Sequence, residues 1–187
     1  MKALTRIYGR AIPFGRRNVD TDLIIAASHL KTLRRAGLGR HAFAAVRAEA
    51  GNVFDEPAFA GAPILIAGDN FGCGSSREHA AWALADMGVE AVIAPGFSDI
   101  FAGNAFRNGI AAIVLPQRVV DRLLDVAREH ALDVDLHAMT VASPAGDLYH
   151  FEMDAFRREC LMAGLDEIAL SLSYEAAIRA YEIRTGT

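Results

Sequence analysis

Three short apolar runs, residues 62–67, 91–94 and 110–115, alternate with two stretches of helical composition, 78–87 and 99–108, and this alternation limits the fold more than any other feature of the chain. Continuous apolar runs of this length suit strands covered on both faces. Gly88 follows the first helical stretch as a C-terminal cap, Ser98 stands where the second needs an N-cap, and Gly109 ends it. Strand, helix, strand, helix, strand in this order predicts a parallel sheet with right-handed crossovers.

On either side the pattern is weaker. Residues 2–14 read as short strands broken by Gly9 and Pro13, and Asn18-Val19-Asp20-Thr21-Asp22 reads as a polar loop leading into Leu-Ile-Ile-Ala-Ala. Residues 41–49 can form a short helix. Residues 30–40 carry two glycines and four basic residues and read as a surface loop. After an amphipathic helix over 117–130, residues 134–141 and 148–153 predict a hairpin across Ser-Pro-Ala-Gly-Asp, and 173–183 a terminal helix. With 187 residues, 52% of them hydrophobic, the chain can build one substantial core without staples. Two cysteines, no metal-ligand spacing and no signal-like N-terminal run point to a reducing compartment, the cytoplasm. No apolar run reaches the roughly 18 residues of a membrane span. A formal charge of −4 with scattered arginines argues against nucleic acid and for a small molecule or protein partner.

The chemistry concentrates in Gly68-Asp-Asn-Phe-Gly-Cys-Gly-Ser-Ser-Arg-Glu-His-Ala80, between a predicted strand and a predicted helix. Gly72 and Gly74 allow left-handed backbone and close approach of a ligand, and the helix N-terminus favours a carboxylate or phosphate. Ser75-x-x-Glu78 also matches a capping box, a purely structural alternative. Capping does not account for Arg77, a cation placed where the helix dipole disfavours one unless both share an anion. A Walker loop fails for want of lysine, Arg77 replaces the third glycine of a dinucleotide fingerprint, and no Gly-x-Ser-x-Gly is formed. Asp20 and Asp22 share a face if extended, but are more simply an Asx turn than a metal site. The six histidines show no zinc spacing, and Cys73 reads more simply as small-residue packing than as a thiol nucleophile. A serine beside an anion clamp, without metal, cofactor motif or separate general acid, is half of an active site.

These residues resemble the small-subunit family of 3-isopropylmalate dehydratase, equivalent to the swivelling domain of aconitase. The likeness extends from Asn-Val-Asp-Thr-Asp-Leu-Ile-Ile and the glycine turn through Ala-Val-Ile-Ala-Pro-Gly-Phe-Ser-Asp-Ile-Phe and Asn-Ala-Phe-Arg-Asn-Gly-Ile to Gly-Leu-Asp-Glu-Ile-Ala-Leu-Ser-Leu. The resemblance implies an α/β swivelling β/β/α domain of the aconitase C-terminal type over 1–187, with a core to about residue 130 and a hairpin and helix extension from about 131. It implies a hydro-lyase of leucine biosynthesis that interconverts 2- and 3-isopropylmalate through an unsaturated diacid. A [4Fe–4S] cluster would be carried by a large subunit, in a heterodimer or heterotetramer. By the same resemblance Ser75 would be the base, and Ser76, Arg77, Arg35 and Arg34 would bind substrate, Arg35 fitting the loop pattern better than Arg34. Thr21, Asp22, Asp20, Gly74 and Glu78 would support them. Ser28-His29-Leu30 departs from the bulky aromatic common in relatives, in the loop that separates isopropylmalate from methylmalate and other alkylmalates. A related alkylmalate hydro-lyase and a non-catalytic carboxylate sensor remain the alternatives.

Overall fold

A computed structural model describes residues 1–32 and 34–186; Leu33, inside the predicted basic loop, and Thr187, the end of the predicted domain, lie outside the described residues. Strands β1 (Arg6–Gly9) and β2 (Ala11–Pro13) open the chain, followed by the single turns α1 (Thr21–Ile24) and α2 (Ala44–Arg47). Then come β3 (Ile64–Ile66), α3 (Glu78–Asp86), β4 (Ala91–Ala94), α4 (Asp99–Arg107), β5 (Ala111–Val114) and α5 (Gln117–Val126). The chain ends with β6 (Leu132–Asp135), β7 (Thr140–Ala142), β8 (Leu148–His150), α6 (Ala155–Ala163), α7 (Glu167–Ser173) and α8 (Glu175–Thr185).

The predicted parallel alternation forms a sheet of order β2-β3-β4-β5, all neighbours parallel. Every residue of β3 and β4 is buried, which is why these strands read as unbroken apolar runs. Alternate side chains feed opposite layers. Leu65 and Val92 join Phe43, Leu84 and Phe101 on the side of α1 to α4, whereas Ile64, Ile66 and Ile93 join Val120 and Leu123 of α5. Ser98 caps α4 as expected, its Oγ accepting from the Phe101 N–H at 3.3 Å.

The second sheet, β1-β6-β7-β8, is antiparallel throughout. The expected strand over 134–141 is split into β6 and β7: Asp135 Oδ1 accepts from the Ala138 N–H at 2.8 Å, and Met139 takes φ 53°, turning the chain between them. Strand β6 pairs with β1, so residues near the C-terminal end complete a sheet begun at Arg6. Ile7, Val134 and Val141 pack into the same core as α5, with Leu161 of α6. By contrast, α8 has no buried residue.

One polar cluster ties α5 to the β7–β8 hairpin. Asp147 accepts from Ser143 Oγ at 2.6 Å, Tyr149 Oη at 3.0 Å and Arg122 Nε at 3.1 Å. The Ser143 and Arg122 hydrogen bonds hold its carboxyl below the ordinary value. A lowered carboxyl pKa gives stability that is present above the unfolded pKa, about 3.9, and lost as pH falls through the folded value. Asp147→Asn should therefore lower the unfolding free energy by about 1–2 kcal/mol at pH 7. In denaturant titrations at successive pH values the gap from wild type should close below about pH 4; a gap independent of pH would show that the charge is immaterial.

Candidate active site

The loops that leave the carboxyl ends of β2, β3 and β4 converge, at the edge of a parallel sheet where ligands ordinarily bind. Beyond β2 and β3 the segment 18–21 runs parallel to 69–73 as a continued ladder. The Asn18 N–H donates to the Asp69 carbonyl at 2.9 Å, the Gly72 and Cys73 N–H groups both donate to the Val19 carbonyl at 2.7 and 3.1 Å, and the Thr21 N–H donates to the Cys73 carbonyl at 3.1 Å. The loop after β4 joins from the other side, with the Phe71 N–H donating to Gly96 and the Ser98 N–H to Phe71, each at 3.0 Å. The glycine turn is thus gripped by backbone on two sides.

Gly72 has φ 74°, and a Cβ there would stand 2.2 Å from Phe101 Cγ, so neither its backbone nor its space admits a side chain. Gly74, at φ 83°, turns the chain outward to expose Ser75 and Ser76.

The capping box does not form. Helix α3 begins at Glu78 behind an extended Arg77 (φ −132°, ψ 108°) that gives no side-chain cap. Ser75 therefore stands outside the helix. Its carbonyl accepts from Thr21 Oγ1 at 2.9 Å, and among the described residues its hydroxyl has no partner. Thr21 is only 3% exposed, a buried hydroxyl whose hydrogen bond holds the turn from beneath. Arg77 Nη1 contacts Asp22 Oδ1, leaving further N–H groups of its five-donor fork for an anion. Asp20 is taken up as the N-cap of α1, its Oδ1 accepting from the Leu23 N–H at 2.7 Å.

Glu78 faces away from Ser75's cap position and accepts from Asn108 Nδ2 at 3.1 Å. Partial burial pushes its carboxyl up, but Asn108, the nearby Trp82 indole and the charges of Arg35 and Arg107 outweigh this and hold it below its ordinary value. The Trp82 indole N–H is itself buried without a well-formed hydrogen bond. Arg35 is exposed, its guanidinium 5.1 Å from the centre of the Trp82 ring. Together with Glu78, Asn108, Phe106 and Phe156 it lines a cleft of about 650 Å³. Arg34 is exposed on the same loop, its N–H donating to Thr32 Oγ1 at 3.0 Å. The structure thus gathers Thr21, Asp22, Ser75 and Arg77 into one cluster, with Arg35 and Glu78 at the adjoining cleft. Sequence reasoning missed Asn108, Trp82 and Phe101; the close spacing of Asn104, Asn108 and Gly109 was the available signal for the first.

Among the described residues no group of three or more His, Cys, Asp and Glu side chains can hold a metal ion. Cys73 lies half-buried in the turn and Cys160 is buried on α6, so this chain's two thiols do not supply the cysteine ligation of a [4Fe–4S] cluster. No described helix is long and apolar enough to cross a membrane.

Two substitutions test the grip on the turn. Gly72→Ala should cost at least about 3 kcal/mol in chemical denaturation, through strain and the clash with Phe101. Thr21→Val keeps the shape and should cost about 1 kcal/mol while leaving Ser75 misplaced; an undiminished stability in both would show that the turn is not held as described.

Comparisons with known proteins agree with this architecture. Residues 1–118 match the model of the aconitase C-terminal domain. The chain is 61% identical over 184 residues to a 3-isopropylmalate dehydratase small subunit of Novosphingobium aromaticivorans, covering 98% of this chain and 91% of that protein. It is 59% identical to one of Erythrobacter litoralis, covering 100% and 94%. The crystal structure of a 3-isopropylmalate dehydratase from Methanocaldococcus jannaschii superimposes with a TM-score of 0.69 at 28% identity, covering 95% of this chain and 99% of that one. With its α/β swivelling architecture, the chain belongs to the 3-isopropylmalate dehydratase small-subunit family, built on the aconitase C-terminal domain.

Proposed function

We propose that this chain supplies the base and the carboxylate clamp of a split hydro-lyase site that interconverts 2- and 3-isopropylmalate, and that Ser75 is the base. The observation that carries the reading is an exposed serine hydroxyl, without a partner among the described residues, on a turn fixed by buried backbone bonds beside a partly buried arginine. Such a hydroxyl is positioned without being occupied.

Ser75 Oγ takes the proton from the carbon next to the departing hydroxyl, and the elements of water leave to give the unsaturated diacid. Return of that proton and of hydroxide to the opposite carbons completes the isomerisation. The positive end of α3 and the Arg77 charge favour the serine alkoxide over the neutral hydroxyl. The free donors of Arg77 hold one substrate carboxylate, and Ser76 adds a hydrogen bond. Asp22 keeps the guanidinium in place, and Thr21 keeps the Ser75 backbone in place. Arg35, and Arg34 behind it, meet the far end of the substrate.

The [4Fe–4S] cluster, which supplies Lewis acidity toward the substrate hydroxyl and carboxylate, belongs to a large partner subunit in this reading. The high identity to proteins named small subunits supports such a partner.

The test is anaerobic reconstitution with the cluster-loaded large subunit, following the ultraviolet absorbance of the unsaturated diacid after adding 3-isopropylmalate. Absorbance should rise only with both chains present. Ser75→Ala should lower kcat by about 10²–10⁴ with KM within about threefold; near wild-type turnover would remove the serine from the mechanism. A flat trace from a verified wild-type complex would move the substrate to another alkylmalate.

A further inference from the structure

The helix that carries the glycine turn at its N-terminus also holds the basic loop along one side. His79, Trp82 and Asp86 lie three and four residues apart on α3, within about 60° of each other around its axis. All three touch the loop. His79 Nε2 lies 3.1 Å from the Thr32 carbonyl, to which it donates. The Trp82 ring packs against His79 at 4.4 Å between centroids and carries the Arg35 guanidinium at 5.1 Å. Asp86 Oδ2 accepts from the Gly37 N–H at 2.9 Å and the Gly39 N–H at 2.7 Å.

The last contact has no slack. Gly39 is buried, and a Cβ there would lie 2.6 Å from the Met87 nitrogen and 2.8 Å from the Asp86 carbonyl oxygen, so the loop backbone sits directly on the end of α3. Four points, at Thr32, Arg35, Gly37 and Gly39, are thereby referred to one rigid helix whose other end is the Ser75 turn.

We propose that the His79–Trp82–Asp86 face is the positioning element that sets the distance from the Ser75 turn to Arg35, and with it which alkylmalates the site accepts. None of the three touches the reacting atoms; they act through the loop. The inference rests on the reading above that this loop meets the substrate. A carboxylate accepting two backbone N–H groups fixes the far end of the loop, while the Trp82 face attracts the Arg35 guanidinium and keeps it beside α3. Substrate length is then measured against α3 rather than against the loop alone.

The structure provides its own reporters. Trp82 is the sole tryptophan of the chain, so its emission follows Arg35 and His79, and Arg34 and Arg35 are tryptic sites within the held loop. Asp86→Ala should be cleaved at the loop at least about fivefold faster than wild type and shift the Trp82 emission, through loss of two charge-assisted hydrogen bonds. In the reconstituted complex it should raise KM for 3-isopropylmalate about tenfold with kcat within about twofold, and narrow the preference over methylmalate. Asp86→Asn, which keeps an acceptor oxygen, should recover most of both effects. Gly39→Ala should repeat the Asp86→Ala phenotype by steric displacement.

Wild-type cleavage rate and KM in Asp86→Ala would overturn the proposal, and so would a fall in kcat at constant KM, which would place the effect on the turn instead. Absence of turnover by the wild-type complex would defeat the functional reading alone. Equal cleavage and emission of variant and wild type would then still overturn the positioning role separately.

Discussion

The site depends on one backbone interaction, the parallel docking of 18–21 on 69–73 beyond the ends of β2 and β3. The Val19 carbonyl receives two N–H groups of the glycine turn, and the Cys73 carbonyl receives that of Thr21. These bonds extend the sheet by a few residues on strands too short to reach the site themselves. They also bring the Thr21 hydroxyl under Ser75 and Asp22 beside Arg77, so both side-chain contacts of the site follow from the backbone register. Val19 is fully buried, which shields the bonds from competing water.

A hydroxyl exposed in this way serves the proposed role of base only if something else covers it. Ser75 and Ser76 are exposed, and the neighbouring cleft receives Arg35 and Glu78 but no metal-binding cluster among the described residues. Ser75 and Arg77 offer proton transfer and anion binding. Both strengthen when water is excluded, because an alkoxide and an ion pair gain most in a low dielectric. In the proposed split site, a small domain with base and clamp on a rigid turn, meeting the remainder by docking, would separate substrate entry from completion of the active site.

The parallel sheet was legible because its strands and helices follow one another with apolar runs and caps in local order; Ser98 and Gly109 mark the ends of α4 in the sequence as they do in space. The antiparallel sheet was only partly legible. Its hairpin shows in Ser-Pro-Ala-Gly-Asp, but β1 and β6 meet across 127 residues at the Arg6–Asp133 pair, and no local signal announces that. The site divided along the same line. Ser75-x-x-Glu78 has the letters of a capping box, yet non-local contacts at Thr21 and Asp22 hold Ser75 to Arg77 outside the helix, and Glu78 turns to Asn108. Asp20 could be read as an Asx-type cap, and it is one. The face of α3 that holds the loop looks in sequence like any half-buried helix, because its partners lie some 47 to 49 residues away.

In the split-site proposal the chain holds half of a site, organised in advance but completed elsewhere. Calorimetric titration of 3-isopropylmalate into the isolated chain, and then into the anaerobic complex with the large subunit, tests it most directly. The isolated chain should show no saturation below about 1 mM, and the complex should saturate well below that. Saturation of the isolated chain at micromolar concentration would contradict it, and would make this chain a self-sufficient carboxylate-binding protein.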